Sequence, residues 1–139
     1  MFKKFYLITL LILLCSSISG CLNQKPSDSK LIGIFESITK CKFPKSGGII
    51  EKNNLTGLND GWEAAIIKVK DTVEFEKILE NINKDKIMTK RSIGKYGFGF
   101  SSKLANGKTN SLDSVYYTKE LFILGIIKSE NIIVIEKEW

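Results

Sequence analysis

The chain has 139 residues, 43% of them hydrophobic, with 21 basic and 15 acidic side chains and a net charge of +6. That length and apolar fraction suit one domain with a modest core. Histidine is absent from the sequence, which excludes a Cys–His nucleophile, a Ser–His–acid triad and any His-ligated zinc site.

The first residues carry Lys3 and Lys4, an apolar run from Phe5 to Leu14, and small residues ending in Ile18-Ser19-Gly20-Cys21. Lysines ahead of a short apolar stretch are the pattern of an export signal, because the charges stay on the cytoplasmic side while the run enters the bilayer. The run is shorter than the roughly 20 apolar residues of a spanning helix. Its last four residues resemble the lipobox of bacterial lipoproteins, where a branched apolar residue, a small residue and Gly or Ala precede an acylated cysteine. Cys15 fits that pattern less well, because bulky Leu14 stands where a small residue is needed. An uncleaved anchor helix is the alternative reading of the leader. The resemblance covers only this leader. It implies cleavage between Gly20 and Cys21, a covalent diacylglycerol with a further acyl chain on Cys21, and stable attachment to a membrane, which takes two or more chains. It also implies the outer membrane in a two-membrane cell, since Leu22 stands where an Asp commonly retains such proteins in the inner one. In a single-membrane cell the same lipid implies the outer face of the cell membrane.

On that reading residues 1–20 are a signal peptide, 21–30 the lipidated cysteine with a flexible tether, and 31–139 a single domain. Cutting 20 residues from 139 leaves 119, and the loss of two lysines lowers the charge from +6 to +4. A surface of that sign can meet anionic head groups or cell-wall polymer, and nucleic acid is not an expected partner of an exported chain. Cys15 leaves with the leader and Cys21 is consumed by lipid, so Cys41 has no internal partner. It is expected to be a small, buried or half-buried side chain.

After the polar tether Leu22–Lys30, Leu31, Ile34, Phe35 and Ile38 recur at helical spacing and predict a helix over about 30–40, with Ser29 as its cap. Phe43–Gly48 reads as a loop, Ile49–Lys52 as a short edge strand, and the Asn- and Gly-rich stretch 53–61 as a loop. Trp62–Lys70 predicts a strand covered on both sides for part of its length. Asp71-Thr-Val-Glu74 has cap-and-return spacing and opens a helix over 71–83, with Phe75, Ile78, Leu79 and Ile82 on one face. Lys84–Arg91 is a charged connection. Within Lys95–Ser101, alternation puts Tyr96, Phe98 and Phe100 on one side and Gly97 and Gly99 on the other. These rings form either core or a binding face. Asn106-Gly107 predicts a tight hairpin turn. Val115–Thr118 reads as a strand, Glu120–Lys128 as a central strand, and Ile132–Trp139 as its antiparallel return. The fold expected is α+β, an antiparallel sheet of about five strands with one or two helices on one face.

Catalytic motifs are not found. Gly94–Gly99 lacks the third glycine of a dinucleotide loop and the Gly-Lys-Ser/Thr of a P-loop. Ser-x-x-Lys occurs at Ser27, Ser37 and Ser92, close to the chance rate of roughly two matches for a chain this rich in serine and lysine. Asn59-Asp60-Gly61 is not extended into a calcium loop. No metal and no cofactor beyond the covalent lipid is expected. The function expected is that of a non-enzymatic, lipid-anchored envelope protein that binds another envelope protein, as an assembly accessory, a toxin-immunity protein or a phage-exclusion factor. The alternative is a binder of a small apolar ligand or cell-wall glycan, with Tyr96, Phe98, Phe100, Tyr116, Tyr117 or Trp62 as stacking surfaces.

Overall fold

The computed structural model describes residues 25–56, 61–91, 112–118 and 121–139. The expectations for Gly20 and Cys21, for the face of Tyr96, Phe98 and Phe100, and for the Asn106-Gly107 turn lie outside the described residues.

Two helices, α1 (Asp28–Thr39) and α2 (Thr72–Lys84), accompany six strands: β1 (Gly47–Thr56), β2 (Gly61–Val69), β3 (Thr89–Arg91), β4 (Ser114–Tyr117), β5 (Phe122–Ile127) and β6 (Ile132–Glu138). The strands make one sheet in the order β1-β2-β6-β5-β4-β3, antiparallel throughout. The fold is α+β with six strands rather than about five. The extra strand is β3, three residues inside the charged connection. It has no apolar alternation to announce it and is held by backbone pairing of Thr89, Lys90 and Arg91 with Tyr117, Tyr116 and Val115.

Both helices lie on one face. Leu31, Phe35 and Ile38 of α1 and Phe75, Ile78 and Ile82 of α2 share a cluster with Ile67, Leu124, Ile133 and Ile135 of the sheet. The opposite face is buried as well, around Ile66, Val115, Ile123, Ile132 and Val134. In β2 only Trp62 and Lys68 fall short of full burial, in line with the expectation of a strand covered on both sides.

Helix α1 starts earlier than its apolar spacing indicates. Ser27, not Ser29, is the cap, accepting from the Lys30 N–H at 3.3 Å, with Asp28 in the first turn beside the positive end of the helix dipole. Pro26 is buried, so the tether expected over 22–30 ends by Pro26. Strand β1 is longer than the four residues expected. Asn53, Asn54 and Leu55 pair with Ala64, Glu63 and Trp62, because a full ladder against a well-formed neighbour outweighs the poor strand propensity of asparagine.

Helix α2 is capped by Asp71, which accepts from Val73 N–H (2.7 Å) and Glu74 N–H (3.2 Å). Glu74 does not return to Asp71, as the spacing suggests. The Ser46 hydroxyl stands between them, accepting from Asp71 N–H at 2.9 Å and donating to Glu74 Oε2 at 2.7 Å.

Candidate functional site

The strands run between two ends. At one end Gly47 pairs with Val69 and Ile127 with Ile132. At the other, Thr56 pairs with Gly61, Trp62 with Glu138, Phe122 with Lys137, and Tyr117 with Ile123 and Thr89. This second end, the tryptophan end, also receives the first turn of α1. Lys30 Nζ lies 2.5 Å from Glu63 Oε1 and 5.9 Å from the Trp139 ring centroid. Trp139 exchanges backbone hydrogen bonds of 3.2 Å with Gly61. A Cβ on Gly61 would meet the Trp139 ring at 2.6 Å, so only glycine lets the ring lie there.

Carboxyl groups occupy both faces of this end. On the helix face the Glu63 side chain is 8% exposed, and its Oε2 is buried without a hydrogen-bond partner. On the opposite face Glu136 is fully buried and hydrogen-bonds Glu138 two residues on. Burial, that shared bond and the negative charge of Glu136 together push Glu138 up to about 7. Trp62 sits directly across from Glu138, and Tyr117 lies beyond Ile123 on the same face. A carboxyl pair holding one proton beside half-buried rings has the chemistry of a proton-sharing site, or of a polar spot that turns neutral at an apolar boundary.

The rim of the same end is apolar and wet. Leu55 (57% exposed), Ile87 (63%), Leu121 (51%) and Trp139 (45%) stand there. They are four of the six exposed large hydrophobic residues among those described.

Of the rings expected to offer stacking surfaces, Trp62 and Tyr117 come together on one face. Tyr116 does not join them. It faces the helices, buried, and its hydroxyl donates to Asn83 Oδ1 at 2.7 Å. Cys41 lies towards the far end, half-buried, its Sγ accepting from Asn81 Nδ2 at 2.9 Å. It borders a groove of about 480 Å³ together with Phe43, Lys45, Lys77 and Ile78. Sequence reasoning passed over Glu63, Glu136 and Glu138. For the last two a signal existed: alternation along Ile132–Glu138 puts them on the face of Ile132 and Val134, where an acid is costly.

Among the described residues there is no group of three or more His, Cys, Asp and Glu side chains arranged for a metal. None of the described helices is long and apolar enough to cross a membrane. Comparison with family models, with curated proteins and with solved structures gave no match.

Proposed function

We propose that the protein is a lipid-anchored envelope protein of non-enzymatic type whose domain binds another envelope protein. The anchor rests on Ile18-Ser19-Gly20-Cys21. The observation that supports protein binding is the outer edge of β1. This ten-residue strand has a neighbour on one side only among the described residues. Such an edge offers a row of backbone donors and acceptors to an added strand. Exposed Ile50 gives that strand an apolar contact along the edge. The irregularity between Ile49 and Glu51 interrupts the edge and opposes indiscriminate pairing.

The test follows anchor and edge in the same cells. Cys21→Ser is expected to abolish incorporation of labelled fatty acid and leave an uncleaved precursor. Labelling that survives the substitution removes the anchor. A photo-crosslinker at Ile50 is expected to capture one envelope protein. Asn54→Pro, which deletes an N–H that donates to the Asn53 side chain, should abolish that capture while labelling persists. Capture unaffected by proline shows that the edge is not the binding element.

A further inference from the structure

The groove beside Cys41 follows α2 from Glu74 to Asn81, about 10 Å of helix. Its other wall is the loop between α1 and β1, and that wall is tied down by hydrogen bonds. Glu36 Oε1 accepts from Phe43 N–H at 2.9 Å, and Glu74 accepts from the Lys45 and Ser46 N–H groups. Pro44 O accepts from Gly47 N–H at 2.9 Å. Pro44 is buried, and the Phe43 ring stands edge-on to Phe35 with centroids 5.3 Å apart. The apolar floor thus lies between two walls that need no reordering to receive a ligand.

Charge decides what fits there. Lys42 and Lys45 line the groove from the loop and Lys77 from the helix, all exposed. None of the three reaches an acid within ion-pair distance among the described residues. The neighbouring acids do not cancel them. Of the lining residues only Glu74 is acidic, so three lysines face one carboxylate, a net +2. Just outside, Glu36 is offset by Lys40, and Glu80, which also attracts Lys77, is bonded to Lys84 at 2.5 Å. Glu76 lies on the opposite side of the helix.

We propose that this groove takes an extended acidic segment of a partner protein. One apolar side chain of that segment lies against Phe43, Pro44 and Ile78, and the acidic side chains flanking it meet Lys42, Lys45 and Lys77. The proposal rests on the reading that the domain binds another envelope protein, and adds the chemistry of what is recognised. An extended chain advances about 3.4 Å per residue, so the groove spans about three residues, whose side chains alternate in direction. The middle one enters the floor while its neighbours stay level with the rim, where the lysines are. Positive charge on both walls complements carboxylates on both sides of the anchor. A fatty acid carries its charge at one end only and leaves one wall unpaired.

The test uses the full chain in neutral detergent and a capped peptide with the core Glu-Leu-Glu and an uncharged dye. Binding is followed by anisotropy, and its place by the rate at which a neutral reagent alkylates Cys41, read by mass spectrometry. Saturable binding that slows alkylation of Cys41 is expected. Lys42→Glu, Lys45→Glu and Lys77→Glu together should weaken binding at least about tenfold, whereas the same change at exposed Lys25, Lys86 and Lys90 leaves it within about twofold. Peptides with Gln-Leu-Gln or Glu-Ser-Glu cores should each bind far more weakly, which tests rim and floor without altering the protein. Equal losses in the two triple variants reduce the binding to net charge and overturn the proposal, as does an absence of binding. Octanoate that protects Cys41 where the peptide does not assigns the groove to an anionic amphiphile and removes the peptide. Protection that grows with protein concentration alone assigns it to a second copy of the chain and does the same. The photo-crosslinker at Ile50 reads the underlying function separately. Capture of an envelope protein without peptide binding removes the groove and leaves that function, whereas peptide binding without capture removes the edge and leaves the groove.

Discussion

The two ends of the sheet are finished in opposite ways. At the closed end the connections are tied by polar groups. Glu74 accepts from the Ser46 N–H and hydroxyl and the Lys45 N–H, Ser46 O accepts from Lys70 N–H at 3.3 Å, and Asn131 reaches Thr72 across 3.1 Å. Asp113 accepts from Lys128 N–H at 2.6 Å. At the tryptophan end the core is closed just as firmly one residue further in, yet Leu55, Ile87, Leu121 and Trp139 remain in water. Folding alone explains the first end, where each bond satisfies a donor that a helix start or a turn leaves open. It does not explain the second, since exposed leucines add nothing to a buried core.

The largest effect on this contrast should come from Ser46→Ala. It strips the acceptor from Asp71 N–H and the hydroxyl donor from Glu74, leaving groups that were bridged without a bridge. Losing the two bonds together should lower the midpoint of chemical denaturation with an unchanged slope. A variant as stable as the parent would mean that the closed end is not held by Ser46.

How far these ends were legible follows from the kind of signal each leaves. The α2 cap was readable because Asp71 and Glu74 are three residues apart, a purely local pattern. Ser46 was not, since it comes from the loop before β1, 25 residues upstream of Asp71. The central strands announced themselves by unbroken apolar runs such as Phe122–Ile127, and the pairing of β5 with β6 followed from a short turn. The placement of β6 between β2 and β5 left no trace, because the pairing partners of an antiparallel strand are not written in its own alternation. The same limit hid the tryptophan end. Leu55, Ile87, Leu121 and Trp139 lie far apart in sequence and share no period. Only the sheet order, which brings the ends of β1, β6 and the β4–β5 connection level, gathers them.

Acid and base should separate the ends next, with opposite signs. Bonds from Ser46 hold Glu74 below its usual 4.5. Its contribution is present above the unfolded value and is lost as pH falls through the lowered folded one. Glu138 is raised to about 7, so between about 4.5 and about 7 the folded chain keeps a proton that the unfolded chain has released. Its contribution is complete below the lower value and disappears as pH climbs to the upper. Denaturation midpoints followed across that interval should therefore decline with rising pH, and Glu138→Gln should flatten the decline. Glu74→Gln should leave that slope in place and remove the loss at more acid pH. A decline that persists in Glu138→Gln would place the titrating group elsewhere.

The smallest effect, and the sharpest test of why the tryptophan end is left open, belongs to Leu121. Glycine adopts the φ of 59° found here without the ~1–2 kcal/mol that a side chain costs in that region. It surrenders about 0.5–1 kcal/mol to its greater freedom in the unfolded chain. Leu121→Gly should then stabilise the fold by something on the order of 0.5 kcal/mol, the balance of these two effects. A gain in stability from deleting an exposed leucine is the opposite of what a structural residue gives. Asparagine also tolerates the left-handed region, so Leu121→Asn separates backbone strain from the apolar side chain. If backbone strain is the main cost of Leu121, both variants should be at least as stable as the parent in chemical denaturation. Destabilisation by glycine would show that Leu121 serves the core.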